Sequence, residues 1–357
     1  MTLRVIQWAT GPVGAAQLRE VIDSPGLGLV GVFAYSPDKI GVDAGTLVHR
    51  GATGVTVTGE KSEILSIPAD LVLHAASKAY GGDNTDDIVA LLESGKSVIT
   101  TTSYNHLPTY GSAALARISQ ACLDAGVRFH AAGEHPGFIF ERLATSITVL
   151  SQRIDRITVQ EFVDCSGVSQ RRMLVDLMGM GKRPEEITVD SPMFRAVSIQ
   201  YEQALEAAAD VLGLHIDSIE PTIETATHTA DVTVACATLP TGTVVGQRLT
   251  WTAYRRGSAV LVAEEFWSTS REIAQWQVPD GDEFLVRVLV DGSPSLRLVL
   301  TIGNEPLAEL DSSAGQLAVA MTAVNAIPDV MAAPPGVVIA PVFGTYRWPG
   351  SIDEECV

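Results

Sequence analysis

Over the first 140 or so residues, short β-branched apolar runs alternate with longer stretches whose apolar positions return every three or four residues. That rhythm predicts βαβ units and a parallel sheet. Residues 4–8 read as a buried strand, and residues 14–22 as a helix with Ala15, Leu18, Val21 and Ile22 along one face. Residues 29–34 read as a second strand, and 71–75, 97–101 and 127–131 as a fourth, fifth and sixth. Between them, 86–93 opens on two acids and stops at Gly95, and 112–124 stops at Gly126, as helix dipoles and glycine C-caps require. Six strands with intervening helices before residue 135 predict a doubly wound, Rossmann-type α/β domain.

After about residue 150 the rhythm changes. Residues 157–162 read as a strand and 170–180 and 193–212 as helices. Residues 229–238, 244–254, 259–268, 284–289 and 296–302 read as strands joined by turns such as Arg256-Gly257 and Asp291-Gly292. Strands so joined predict a mainly antiparallel sheet in an α+β second domain. Residues 316–325 read as a closing helix, and the apolar tail beyond Pro334-Pro335-Gly336 is expected to fold back on the first domain. The expected division is 1–148 with a return at 325–357, and 149–324.

Composition agrees and narrows the function. A chain of 357 residues, 46% hydrophobic and 18% charged, has material for two cores and is not a disordered segment. The 24 Lys+Arg against 42 Asp+Glu leave a net charge of −18, which repels nucleic acid and anionic membrane surfaces. Cys122, Cys165, Cys236 and Cys356 lie far apart without CxxC or CxxH spacing, so neither a disulfide framework nor a metal site is indicated and a cytoplasmic setting is expected. The apolar run near the N-terminus is too short for a signal segment, and no run reaches the ~18 apolar residues of a membrane helix.

Directly after the first strand stands Ala9-Thr10-Gly11-Pro12-Val13-Gly14, a GxGxxG pattern with Ala in the first glycine position. A diphosphate needs a tight turn, a residue without Cβ where it approaches the backbone, and a last glycine for close helix-to-strand contact. Gly11 and Gly14 supply the last two. At the end of the second strand, where an acid would favour NAD, stands Tyr35-Ser36-Pro37-Asp38-Lys39. Ser36 and Lys39 suit a 2'-phosphate and favour NADP, while Asp38 keeps NAD open. A solvated turn with incidental charges is the structural alternative.

Beyond that loop, residues 4–14 (RVIQWATGPVG), LHAAS at 73–77, GKSVITTT at 95–102, GEHPGF at 133–138 and VNAIP at 324–328 together resemble the dihydrodipicolinate-reductase-like oxidoreductases. The resemblance covers nearly the whole chain and is strongest to the branch of 2,4-diaminopentanoate dehydrogenase and the native amine dehydrogenases. It implies a dinucleotide-binding first domain and a second domain that binds substrate and builds a homodimer. It also implies that Ala9–Gly14 hold the pyrophosphate and that His74, Ala75 and Ala76 lie along the ribose. Thr100, Thr101 and Thr102 would border the nicotinamide and Asn325 its carboxamide. His74 as a core imidazole and Asn325 as a helix-terminal cap are the structural alternatives.

One departure matters. Amine dehydrogenases of this branch carry a glutamate directly after the fifth strand, facing the reacting carbon; this chain has Thr102-Ser103-Tyr104-Asn105-His106 there. A cationic iminium is stabilised by a carboxylate, whereas reducing C=O needs a proton donor such as Tyr or His. Glu134, at the end of the sixth strand, offers a carboxylate from a neighbouring position. Tyr104, His106, Glu134 and His135 are therefore the acid/base candidates. Their structural alternatives are a wall residue, a surface-loop residue, an ion-paired carboxylate and a turn stabiliser. Phe138, Phe140, Met173, Leu177 and Met178 suit an apolar pocket for a small hydrophobic ketone or its amine, although Met173 and Leu177 at helical spacing equally suit ordinary core. No Arg or Lys fork stands in GEHPGF, which disfavours a dicarboxylate, while Arg142, Arg171 and Arg172 keep one open. The leading expectation is an NAD(P)H-dependent oxidoreductase of amine dehydrogenase type. A carbonyl reductase working without ammonia and a non-catalytic dinucleotide sensor are the alternatives.

Overall fold

The computed structural model describes residues 2–76, 82–270, 273, 276, 284–303 and 312–348. Ser77 and Cys356 lie outside the described residues. The chain divides into two compact units, Met1–Phe138 with Asn304–Pro341, and Ile139–Gly303 with Val342–Val357.

In the first unit, β1 (Leu3–Trp8), β2 (Leu27–Phe33), β3 (Val57–Thr58), β4 (Leu71–His74), β5 (Ser97–Thr100) and β6 (Arg128–Ala131) make a parallel sheet in the order 3-2-1-4-5-6. This order reverses the winding at β1, which opens a crevice at the carboxyl ends of β1 and β4. Val5, Ile6, Leu71, Leu73 and Ile99 are fully buried, because a parallel sheet sandwiched by helices has no solvent face. β3 is only two residues long, too short to announce itself as an apolar run. Gly336–Val337 adds a seventh parallel strand beside β6, whereas Val342–Val357 belongs to the second unit. Helix Ala314–Asn325 packs against α1 (Pro12–Asp23).

In the second unit, β7 (Arg153–Asp164), β8 (Ser218–Thr227), β11 (Val244–Arg255), β12 (Ser258–Ser268), β13 (Phe284–Ser293) and β14 (Leu296–Ile302) form a sheet in the order 14-13-7-12-11-8. Among the described residues only the β7–β12 pair is parallel; the other neighbours are antiparallel. Two short strands, β9 (Val232–Val234) and β10 (Ala237–Leu239), pair with each other. Helix Pro192–Leu212 packs against this sheet. The Trp251 ring stacks on Tyr201 at 4.1 Å between centroids, and its indole N–H donates to Ser198 Oγ at 2.8 Å.

Three expectations change and one strand enters that the sequence does not predict. Residues 229–238 form the short β9–β10 hairpin rather than one strand. β8 went unforeseen because it is an edge strand, polar and interrupted by Pro221. Within 170–180 only Arg172–Leu177 is helical, as a π-type turn closed by the Met178 N–H to the Met173 carbonyl at 2.9 Å. The units change over at 138, 303 and 341 rather than at 148 and 324, because Ile139, Phe140 and Ala144 already lie in the second core, and Tyr346 donates its N–H to Thr148 Oγ1 at 3.0 Å.

Cys122 and Cys165 are buried free thiols, each pushed up to about 12 chiefly by desolvation. Among the described residues no helix is long and apolar enough to cross a membrane. The Trp251–Ser198 bond supplies a stability test: Ser198→Ala strands a buried indole N–H and should cost about 1–3 kcal/mol, read as a lower urea midpoint with an unchanged slope.

Candidate active site

The loop after β1 is drawn tight by backbone geometry. Ala9, in the first glycine position, sits in the left-handed region at φ 72°, which costs an L-residue roughly 1–2 kcal/mol. Its carbonyl accepts from Gln7 Nε2 at 3.0 Å, and the same amide nitrogen donates to Gln17 Oε1 at 3.1 Å. Gln7 and Gln17 are fully buried, and they tie β1 to α1 from beneath the loop. A Cβ at Gly14 would stand 2.2 Å from the Ala9 carbonyl oxygen, so only glycine lets the helix approach the strand this closely. Among the described residues, a Cβ at Gly11 would meet nothing within 4 Å. Gly11 precedes α1, and among the described residues no side chain caps that helix and no acid occupies its first turn. Amide hydrogens at an uncapped helix start, beside open space, suit a diphosphate. Thr10, Pro12 and Val13 complete the loop, with Thr10 buried.

The neighbouring strand ends are tied together by backbone bonds. Ala9 N–H donates to the Phe33 carbonyl, Ala75 to Trp8, Thr101 to His74 and Ala132 to Thr100, all at 2.8–2.9 Å. His74 is wholly buried, with Nδ1 3.0 Å from Thr100 Oγ1, which in turn lies 2.7 Å from Thr102 Oγ1. Ala76 is buried, and its carbonyl accepts from Asn84 Nδ2 at 2.9 Å. Beyond β2, Ser36 is exposed, and Lys39 Nζ reaches back to the Thr10 carbonyl at 2.6 Å. That bond makes Lys39 a brace of the loop after β1 as well as a cation beside the end of β2. Asn325 is exposed at the end of its helix.

The loop after β5 gives Tyr104 a structural task. Its buried hydroxyl donates to Asp83 Oδ1 at 2.8 Å, accepts from the Asn84 N–H at 2.9 Å, and lies 3.1 Å from Thr85 Oγ1 and 3.2 Å from the Tyr110 hydroxyl. Burial, with Tyr110 and Asp83 adding to it, raises the phenol's pKa well above its ordinary value. A phenol so placed keeps its proton and pins the segment after β4 to the segment after β5. Burial opposes the Asp83 charge, but hydrogen bonds from Thr85, Tyr104 and Tyr110 outweigh it and bring the carboxyl to about 2. His106 is buried, with Nδ1 2.7 Å from Thr109 Oγ1.

Glu134 and His135 stand on the turn after β6, Glu134 buried and the His135–Pro136 peptide cis. The Glu134 carbonyl accepts from Phe138 N–H at 3.1 Å. Gly133 and Gly137 shape this turn: a Cβ at Gly133 would stand 2.1 Å from the Pro136 carbonyl oxygen, and Gly137 has φ 124°. Asn105 Nδ2 packs here, 2.7 Å from where a Gly137 Cβ would stand, buried and without a hydrogen-bond partner among the described residues. The structure thus brings Glu134 and the loop holding Tyr104, Asn105 and His106 to one edge of the first unit. Phe138 is partly exposed at the end of the same turn.

The apolar candidates of the second unit separate. Phe140 is fully buried in that unit's core, so there the core reading holds. Met173, Leu177 and Met178 pack half-buried against the same core, and Leu177 and Met178 help line a cavity of about 130 Å3 with Met193, Phe194, Gln247 and Trp267. Sequence reasoning missed Gln7, Gln17, Asp83 and Asn84. Gln7 did leave a signal, a lone amide inside an otherwise apolar buried strand, and a buried amide is retained where it has partners.

Residues 138–342 match the family profile described as the 2,4-diaminopentanoate dehydrogenase C-terminal domain. A curated amine dehydrogenase of Streptomyces virginiae is 27% identical over 350 residues, 94% of each chain. The solved amine dehydrogenase of Mycobacterium smegmatis superposes with a TM-score of 0.72 at 21% identity over 95% of each chain. A probable dehydrogenase of Thermotoga maritima superposes with a TM-score of 0.55 at 12% identity, over 94% of this chain and 91% of the other. Both structures share this chain's fold.

Two outcomes follow from the loops. Ala9→Gly removes the left-handed cost and should leave the protein as stable or up to about 1 kcal/mol more stable by thermal melting. Tyr104→Phe strands the Asn84 N–H and should destabilise by about 1–3 kcal/mol. Because the Asp83 carboxyl is depressed in the folded chain, its stabilisation is full above its ordinary value near 3.8 and is lost as pH falls through about 2. Acid titration of stability should therefore be shallower over that window in Tyr104→Phe.

Proposed function

This chain belongs to the family defined by the 2,4-diaminopentanoate dehydrogenase C-terminal domain, and on that premise we propose that it interconverts a small hydrophobic ketone and its amine through the imine. It is an NAD(P)-dependent oxidoreductase of amine dehydrogenase type. The observation that carries the amine chemistry is Glu134, a buried carboxylate on the turn that packs against the loop where the family's glutamate would stand.

The cradle fits a dinucleotide on its own geometry: an uncapped helix start, open space over Gly11, and a helix drawn in at Gly14. Thr10, Gly11 and the α1 amides would hold the diphosphate, with His74, Ala75, Ala76 and Thr101 along the ribose and nicotinamide and Asn325 toward the carboxamide. Lys39 and Ser36 would favour NADPH, Lys39 by its charge beside the end of β2. When bound, the nicotinamide supplies or accepts the hydride at C4. The chain's own residues then handle protons and charge. Glu134 as carboxylate would take a proton as ammonia adds to the carbonyl, return it as water leaves, and stabilise the iminium cation that accepts the hydride, with His106 and His135 as its candidate proton partners. Tyr104 keeps Asp83 and Asn84 in position. The cavity at Leu177 and Met178 lies within the second unit and is smaller than a drug-sized pocket. We assign the second unit to substrate binding and homodimer formation, and the protein to the cytoplasm.

The test is NADPH oxidation with a hydrophobic ketone, with and without excess ammonium. Turnover should require ammonium, and Glu134→Gln should lower kcat by about 10²–10⁴ while leaving the affinity for NADPH within about twofold. Turnover that ignores ammonium would establish a carbonyl reductase instead, and tight cofactor binding with no turnover would establish a sensor.

A further inference from the structure

One end of the six-stranded sheet carries a groove of about 630 Å3, built from the start of β7, the β11–β12 turn, the end of β13 and the aromatic rings of Tyr346 and Trp348. The whole chain is acidic, yet four arginines line this groove, Arg153, Arg156, Arg255 and Arg256, against two acids, Asp155 and Asp291. Arg153 donates to Asp155 at 3.2 Å and Arg156 to Asp291 at 2.7 Å. Both pairs are exposed, so they hold the side chains weakly and leave the groove net positive.

The β11–β12 turn gives a second indication. Arg256 and Gly257 have φ 52° and 76°, the paired left-handed conformation of a tight hairpin that favours Asn, Asp or Gly in its first position. A long cationic side chain stands there instead, its backbone N–H fixed by Asp217 Oδ2 at 2.5 Å. Strain kept for a charged side chain at the mouth of a groove points to a task for that charge. Tyr346 and Trp348 meet edge to face with centroids 5.3 Å apart, an aromatic wall beside the guanidinium groups.

We propose that this groove is a second binding site, for a small organic molecule bearing two or more oxyanion charges. Guanidinium forks pair bidentately with phosphoryl and carboxylate groups alike, the aromatic wall accommodates a planar body, and the volume lies within the range of small-molecule sites. The groove lies within the second unit and is independent of the dehydrogenase reading.

The test is isothermal titration of the full chain at 0.15 M salt with inorganic tripolyphosphate and, separately, with citrate. One or both should bind at one site per chain; tripolyphosphate alone would mark a phosphoryl ligand and citrate alone a carboxylate ligand. The double variant Arg255→Glu, Arg256→Glu should weaken binding at least tenfold. Arg256→Asn, which suits the turn and removes one charge, should weaken it severalfold with an unchanged melting temperature. Gly11→Glu should leave it unaffected. Absence of binding by both probes, or binding that Gly11→Glu abolishes and the arginine variants spare, would overturn the proposal.

Discussion

The contact between α1 and the Ala9 carbonyl governs the first unit. With no Cβ at Gly14, the helix start comes close enough to β1 for the uncapped amides of its first turn to face the crevice at the winding reversal. Adding a methyl group at that point would place it 2.2 Å from a backbone oxygen, a distance at which backbone must move. The strained φ of Ala9 and the buried pair Gln7 and Gln17 belong to the same device, since they hold the carbonyl that Gly14 leaves room for. Strain of about 1–2 kcal/mol persists only where the surroundings over-determine the backbone.

The edge formed by the loops after β5 and β6 shows the same economy in its polar groups. Tyr104, the natural proton donor by residue type, is consumed by a network that fixes the segments after β4 and β5, and burial holds its proton. Glu134 arrives from the next strand, on a turn that two glycines make tight enough to pack against Asn105. On the proposed amine chemistry, Glu134 would supply from the neighbouring strand end the carboxylate that an iminium needs.

Much of the first unit was legible because a parallel sheet buries both faces, so its strands read as apolar runs and its helices as periodic stretches. The glycine loop was legible because its spacing has a steric reason. β3 and β8 were not: one is two residues long, and the other is an edge strand whose polar, proline-bearing sequence reads as loop. The bond from Lys39 to Thr10 and the occupation of the Tyr104 hydroxyl were equally hidden, since both join residues far apart in sequence. Phe140 shows the limit of residue type as a guide, because an aromatic beside a candidate site is core when its backbone already belongs to the second unit.

Gly11 offers the most direct test, because among the described residues a Cβ there meets no atom within 4 Å and its backbone is ordinary. Titrating NADPH fluorescence with the purified protein and with Gly11→Glu should give saturable binding to the first and a loss of at least a hundredfold in the second, at unchanged melting temperature. Equal titration curves for the two proteins, or no response from either, would contradict the account.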